Sequence, residues 1–164
     1  MPRQPTRAVL LTLCACACAA LAAAPGGARA QPQAAAADYH PSMADLMTMA
    51  LQPRHVKLGE AGRLRNWPYL AYEASELRNA FARIARTVPM FNGADTAGMI
   101  SARIKPSLDR LDEAIKARDG RRFDAAYAGV TEACNACHRS LNHDAIVIRA
   151  PDGAMFPDQD FRPR

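Results

Sequence analysis

Apolar residues recur at the three- and four-residue spacing of an amphipathic helix in four successive stretches of this chain. The stretches cover about residues 42–58, 67–88, 96–118 and 122–141, and we call them helices A, B, C and D. The clearest stripe belongs to helix C and consists of Ile100, Ile104, Leu108, Leu111 and Ile115. Four amphipathic helices with short connections predict an all-α fold, an antiparallel up-down-up-down four-helix bundle.

Short polar residues stand where three of these helices should begin. Ser42, Asn66 and Asp95 are the expected N-caps of helices A, B and C, because their side chains accept hydrogen bonds from free backbone N–H groups. Gly59 and Gly62 predict the end of helix A, because glycine readily takes the left-handed conformation that closes a helix.

Prolines limit the pattern elsewhere. Pro53 and Pro106 fall inside helices A and C, where each should kink or interrupt the helix because proline has no backbone N–H to donate. Beyond Asn142, the breakers Pro151, Gly153, Pro157 and Pro163 exclude a further helix. We expect residues 142–164 to form an extended, proline-rich tail that lies on the bundle.

The first thirty residues have the pattern of a cleaved signal peptide. Arg3 and Arg7 precede an alanine-rich apolar stretch, and Ala28-Arg29-Ala30 is a small-x-small cleavage site. The stretch is too short for a lasting membrane span. A lipoprotein-type processing box at residues 13–16 is the alternative, although few apolar residues precede it. We therefore predict export to the periplasm and cleavage near Ala30.

Cleavage would leave a flexible lead-in over residues 31–40 and a bundle domain over residues 41–141. The leader contains three arginines and no acidic residue, so its removal lowers the formal net charge of the chain from +5 to +2. So small a charge gives no argument for a nucleic-acid partner or a membrane surface.

Of the five cysteines in the sequence, three lie in the leader, and only Cys134 and Cys137 remain in the mature chain. An exported protein with two cysteines three positions apart has no framework of structural disulfides. The core and any bound group must therefore stabilise the fold.

The residues 134–138 read Cys-Asn-Ala-Cys-His, the attachment signature of a c-type haem. In such a site the two thiols bond to the haem vinyl groups as thioethers, and the imidazole of His138 is the proximal iron ligand. A zinc site would need two further Cys or His ligands. A thioredoxin-like pair would be expected near a strand-helix-strand pattern, and a disulfide across this spacing on a helix would be strained.

With an exported leader, four helices and this motif near the end of the fourth, residues 40–141 resemble the cytochrome c′ family, the class II c-type cytochromes. The motif predicts one covalent haem c, and we expect electron transfer with redox partner proteins. Because no distal acid–base pair is evident in the sequence, we do not expect an enzyme. Members of the resembling family often form dimers through their first two helices. The proline-rich tail departs from the family pattern, as does the segment 52–58 with Asn66-Trp67.

The ligand on the opposite side of the iron decides the function. In an antiparallel bundle the start of helix A lies beside the end of helix D, where Met43 and Met47 are one turn apart on the inward stripe. The resemblance implies a methionine from the first helix as iron ligand; Met47 is the first candidate and Met43 the second. Both can instead be core packing. His55 lies farther along the helix, and we expect a surface or supporting histidine there.

Met ligation would give a low-spin haem suited to electron transfer. An empty distal position would give a high-spin haem that binds small gases such as NO or CO, and this is the alternative function.

Overall fold

A computed structural model describes residues 39–164, which lie within one compact unit, Asp38–Arg164. The predicted signal peptide and nearly all of the predicted lead-in lie outside the described residues. In chain order the elements are α1 (Met43–Asp45), a π-helical segment π1 (Leu46–Leu51), α2 (Gln52–Arg63), α3 (Trp67–Thr87), β1 (Met90–Phe91), β2 (Ala94–Asp95), α4 (Thr96–Met99), a second π-helical segment π2 (Ile100–Ile104), α5 (Lys105–Lys116) and α6 (Gly120–Ser140). The described part is thus mostly helical, as predicted.

Helix A consists of α1, π1 and α2, helix B is α3, helix C consists of α4, π2 and α5, and helix D is α6. The three predicted N-caps are confirmed. The Ser42 hydroxyl accepts from the Asp45 backbone N–H at 3.1 Å, and the Asp45 carboxylate accepts from the Ser42 backbone N–H at 2.9 Å, which completes a capping box. Asn66 and Asp95 accept in the same way from the backbones of Tyr69 and Gly98.

The interruptions predicted at the prolines take the form of π-helical turns. Pro53 stands in the first turn of α2, directly after π1, and Pro106 stands in the first turn of α5, directly after π2. The backbone N–H of Gln52 donates to the carbonyl of Met47, five residues back. This longer hydrogen bond lets the helix continue where the proline removes a donor.

The prediction that Gly59 and Gly62 end helix A is wrong. Both lie inside α2 and are buried, and the helix ends at Arg63. The left-handed residue that closes it is Arg65, with φ 54°. The backbone N–H groups of Arg65 and Asn66 donate to the carbonyls of Gly62 and Ala61, which is the Schellman pattern.

The same pattern closes helices C and D, where Arg118 (φ 51°) and Asn142 (φ 58°) take the left-handed conformation. Asp119 then caps α6, since its carboxylate accepts from the backbone N–H groups of Arg121 and Arg122. In the turns from helix A to B and from helix C to D, a left-handed arginine is therefore followed directly by the N-cap of the next helix.

Between helices B and C, residues predicted as a connection contain a two-stranded hairpin. Met90 pairs with Asp95 and Phe91 with Ala94. Asn92 and Gly93 both have positive φ, 50° and 80°, as a two-residue hairpin turn requires.

The core lies among the four helices and is filled mainly by leucine, isoleucine and alanine, with Phe81, Phe123 and Tyr127. Ion pairs join neighbouring helices on its outer edge. Arg54 bonds to the buried Glu73 carboxylate at 3.1 Å, and Arg65 meets Asp124 at 2.7 Å. Within residues 39–164 no helix has the length and apolar character needed to cross a membrane.

Residues 142–164 contain neither helix nor strand and contact helix A at several points. The Pro151 carbonyl accepts from Arg63 at 2.8 Å, and the Met155 backbone N–H donates to the buried Glu60 carboxylate at 2.6 Å. Phe161 is only 6% exposed and packs edge-on against Tyr69. These contacts run from the last turn of α2 to the first turn of α3.

Candidate cofactor site

The motif residues occupy the last two turns of α6, Gly120–Ser140. Cys134 continues the apolar stripe of Phe123, Tyr127 and Val130 and packs against the edge of the core. Both Cys134 and Cys137 are free thiols and are half-buried. Two unpaired thiols one turn apart thus face the same side of the helix.

Burial raises the pKa of the Cys134 thiol to about 12. Burial also raises the pKa of Cys137, although the nearby Arg103 guanidinium acts in the opposite direction. Both thiols are therefore protonated at neutral pH. A dithiol that exchanges disulfides needs one thiol with a lowered pKa, because the thiolate is the nucleophile. The electrostatics of this pair argue against a thioredoxin-like role.

The ring of His138 has a defined hydrogen-bonding state. Its Nδ1 lies 2.8 Å from the backbone carbonyl oxygen of Ile146. A carbonyl can only accept a hydrogen bond, so Nδ1 carries the proton and donates it. In the neutral ring the lone pair is then on Nε2. This is the tautomer in which a histidine ligand binds a metal through Nε2 while a carbonyl holds its other nitrogen.

The end of helix B and the start of helix C reach this end of α6. The rings of Phe91, on β1, and His143, just after α6, are 5.8 Å apart between centroids. Arg103 belongs to π2, and π2 packs against α6. The hairpin and the start of helix C thus lie at the motif end of α6.

The two candidate methionine ligands belong to different parts of helix A. Met43, in α1, is 8% exposed and belongs to the core. Met47, in π1, is half-buried and packs against the core from its edge. Neighbouring Met49 is 74% exposed, so π1 presents one methionine inward and another to solvent.

His55 is not at the surface, where one of the two expectations put it. It is 6% exposed, and both ring nitrogens have partners on helix D: Nε2 lies 2.8 Å from the Thr131 hydroxyl and Nδ1 lies 3.2 Å from the Tyr127 hydroxyl. Burial lowers the pKa of His55 to about 4. The ring therefore packs neutral between helices A and D, about one turn before Cys134 along α6, and a supporting part at the site stays a prediction.

Contacts between α2 and α6 advance in opposite directions along the two helices. Arg65, past the end of α2, meets Asp124 near the start of α6. Gly59 lies against the Tyr127 hydroxyl, and His55 meets Thr131. Each step towards the N-terminus of helix A is thus matched by a step towards the motif on helix D.

The donor set fits a covalently attached haem. Two free thiols and an imidazole with its Nε2 lone pair available lie within two turns of one helix, beside half-buried apolar residues. In residues 39–164, no group of three or more His, Cys, Asp and Glu side chains gathers as a metal site would require.

Sequence reasoning missed the function of Asn135, between the two cysteines. Its side chain makes two hydrogen bonds to the backbone of Ile148: Nδ2 donates to the carbonyl at 2.9 Å, and Oδ1 accepts from the N–H at 2.7 Å. The available signal was Asn142, since asparagine is common at the left-handed position that ends a helix and reverses the chain.

Compared with known protein families, curated proteins and solved structures, the chain matches none.

Proposed function

We propose that this chain is an exported c-type cytochrome that carries one haem on Cys134 and Cys137 and transfers single electrons between redox partner proteins of the periplasm. The observation that carries the proposal is the His138 ring. Its Nδ1 donates a hydrogen bond to the Ile146 carbonyl oxygen at 2.8 Å. The ring lies next to two free thiols in the attachment spacing. This combination supports a haem site over a disulfide or a zinc site.

The chain's own residues have separate tasks in this proposal. Cys134 and Cys137 hold the group by two thioether bonds, and His138 presents its Nε2 lone pair to the iron. When bound, the haem supplies an iron that accepts and returns one electron. The apolar residues around the motif keep water away and so help to set the reduction potential.

We further propose the antiparallel up-down-up-down bundle as the topology that brings Met47 to the motif. The contacts that pair Arg65 with Asp124 and His55 with Thr131 support it. Continued by two more turns, the same register brings Met47 to the level of the last turn of α6, because both helices rise at a similar rate per residue. Met47 is then the distal ligand and Met43 a core residue.

The proposal rests on the residues and on this geometry, together with the resemblance to the cytochrome c′ family. In that family's pattern the tail would be an addition, extended along the bundle and close to the haem edge. A mature chain that begins near Gln31 also belongs to the proposal.

The test is to express the full chain, leader included, in a bacterial host with working c-type cytochrome maturation. We expect a red periplasmic product whose intact mass equals the chain from about Gln31 plus one haem. The matched control carries Cys134→Ala and Cys137→Ala and should be colourless. A wild-type product that is colourless and has the mass of the polypeptide alone would refute the proposal.

A further inference from the structure

The chain reverses immediately after the motif and returns to it. Asn142 takes the left-handed conformation, and the backbone N–H of His143 donates to the carbonyl of His138 at 2.8 Å. The Ile146 N–H then donates to the His143 carbonyl at 2.9 Å. Residues 142–148, which we call the return segment, are thereby folded back along the last turns of α6.

Two residues of α6 hold the return segment, and both belong to the haem-attachment motif. Asn135 makes its paired hydrogen bonds to the backbone N–H and carbonyl of Ile148, at 2.7 and 2.9 Å. His138 donates from Nδ1 to the carbonyl of Ile146. The three bonds therefore link the segment to Asn135, one of the two residues between the thiols, and to the imidazole of His138.

Hydrogen bonds, rather than apolar burial, hold this part of the segment in place. The side chains of Ile146 and Val147 are 55% and 72% exposed, so they gain little by packing. Asn135 is half-buried, and its amide satisfies both backbone groups of Ile148. Loss of that amide should therefore free the segment, and with it the carbonyl that His138 uses.

The rest of the tail is fixed separately. Arg63 binds the Pro151 carbonyl, Glu60 binds the Met155 backbone N–H, and Phe161 is buried. A change at Asn135 therefore leaves the remainder of the tail attached to helix A, so its effect can be local.

We infer that the return segment is a positioning element for the proximal ligand. Asn135 holds the Ile146 carbonyl where it fixes the rotation and tautomer of the His138 ring and increases the electron density on Nε2. The inference rests on the proposed function and deepens it. It assigns part of the control of the iron's reduction potential to the tail and to Asn135, a residue that the attachment chemistry itself does not use.

The experiment compares full-length holoproteins that carry Asn135→Ala or Ile148→Pro. The first change removes both amide bonds. The second removes the Ile148 N–H donor, fixes the backbone at that position and leaves Asn135 in place. Because it lies outside the attachment motif, it remains informative if Asn135→Ala impairs haem attachment. Ser140→Ala is the matched control, because that exposed hydroxyl bonds only within α6, to the Ala136 carbonyl at 2.8 Å.

Two measurements are made on each protein: the midpoint potential, and the solvent exchange of the His138 Nδ1 proton by NMR of the reduced, nitrogen-15-labelled protein. In both variants we expect exchange about tenfold faster than in wild type, since the carbonyl no longer holds the proton. The midpoint potential should become more positive, because a less electron-rich imidazole stabilises the ferric iron less. We expect a rise in the ferrous-to-ferric ratio at fixed ambient potential of about threefold to tenfold.

The control Ser140→Ala should match wild type in both measurements. If the variants carry haem with wild-type potential and wild-type exchange, the inference is overturned and the proposed function stands. If wild-type protein carries no haem, the proposed function falls, and this inference falls with it.

Discussion

The two halves of helix D share one apolar stripe but differ in how deeply it is buried. In the first half, Phe123, Tyr127 and Val130 are 2%, 6% and 0% exposed. In the second half, Cys134 and Cys137 are only half-buried, although the three- and four-residue spacing continues unchanged. Periodicity thus identifies the inward face of a helix, whereas the neighbouring elements decide how far that face is covered.

The neighbours of the two halves explain the difference. In the first half, glycines of α2 allow close approach: a Cβ on Gly59 would lie 2.5 Å from Pro151 and 2.7 Å from the Tyr127 hydroxyl, and one on Gly62 would overlap the Phe123 ring. In the second half, backbone hydrogen bonds from the tail replace close packing. The first half is closely packed core, whereas the second half leaves its two thiols only half-buried.

The sharpest test of this contrast is Phe123→Ala. Loss of this buried ring should lower the free energy of unfolding by about 3–5 kcal/mol, because it removes apolar contacts and leaves a cavity. The measurement is guanidinium denaturation of the purified full-length protein. The matched control is Leu141→Ala, a half-buried position on the same stripe, for which we expect a loss of about 1 kcal/mol. Equal losses at the two positions would remove the distinction between the halves.

His55 of helix A packs where the two halves of helix D meet, and its protonation should give the next largest change in stability. Burial lowers the pKa of its imidazole from 6.5 to about 4. Below pH 6.5 the unfolded chain binds a proton at His55 that the folded protein does not bind until about pH 4. The stability contributed by the neutral ring is therefore complete above pH 6.5 and is lost as the pH falls towards 4, by about 3 kcal/mol in total.

This linkage is measured as the unfolding free energy of wild type minus that of His55→Gln, across pH 4 to 7. The glutamine has no titrating group, so we expect the difference to shrink as the pH falls. A difference that stays constant across the range would contradict a neutral, buried His55.

The smallest change in stability, but the largest in colour, is expected for Met47→Ala. A half-buried methionine should contribute less than about 2 kcal/mol to folding. If its sulfur is the distal iron ligand, the replacement converts a low-spin absorption spectrum into a high-spin one and opens the iron to carbon monoxide. Met49→Ala is the matched control, because Met49 lies in the same π-helical segment and is 74% exposed.

An unchanged spectrum in Met47→Ala would show that Met47 is not the ligand. A wild-type spectrum that is already high-spin and responds to carbon monoxide would favour the gas-binding alternative over electron transfer.

Much of the fold was predictable because local rules determine it. The stripes gave the four helices to within a few residues except at the end of helix A, and short polar side chains gave the caps at Ser42, Asn66 and Asp95. The prediction at Gly59 and Gly62 failed because the sequence alone does not show whether a glycine ends a helix or makes room for a side chain packed against it. The ring of Phe123, more than fifty positions away, decides that question at Gly62.

Of the candidate site, the sequence identified only the motif residues, and their bonding to a haem stays a prediction. Cys134, Cys137 and His138 follow from their spacing alone. The partners of His55 and Asn135 do not, because they depend on which helices pack together and on where an irregular tail returns. A tail without periodicity gives no signal of its register, so the bonds to Ile146 and Ile148 became visible only in three dimensions.

The π-helical segments of helices A and C have a consequence for chain length. Each π turn holds one more residue than an α-helical turn, so side chains before it are rotated by about 100° relative to those after it. Deletion of one residue between Leu46 and Leu51 would remove the π-helical turn that precedes Pro53 and would swing Met43 out of the core. The number of residues between Met43 and Pro53 is therefore as strictly constrained as their identity. A homologue one residue shorter in this stretch would need a different set of inward side chains.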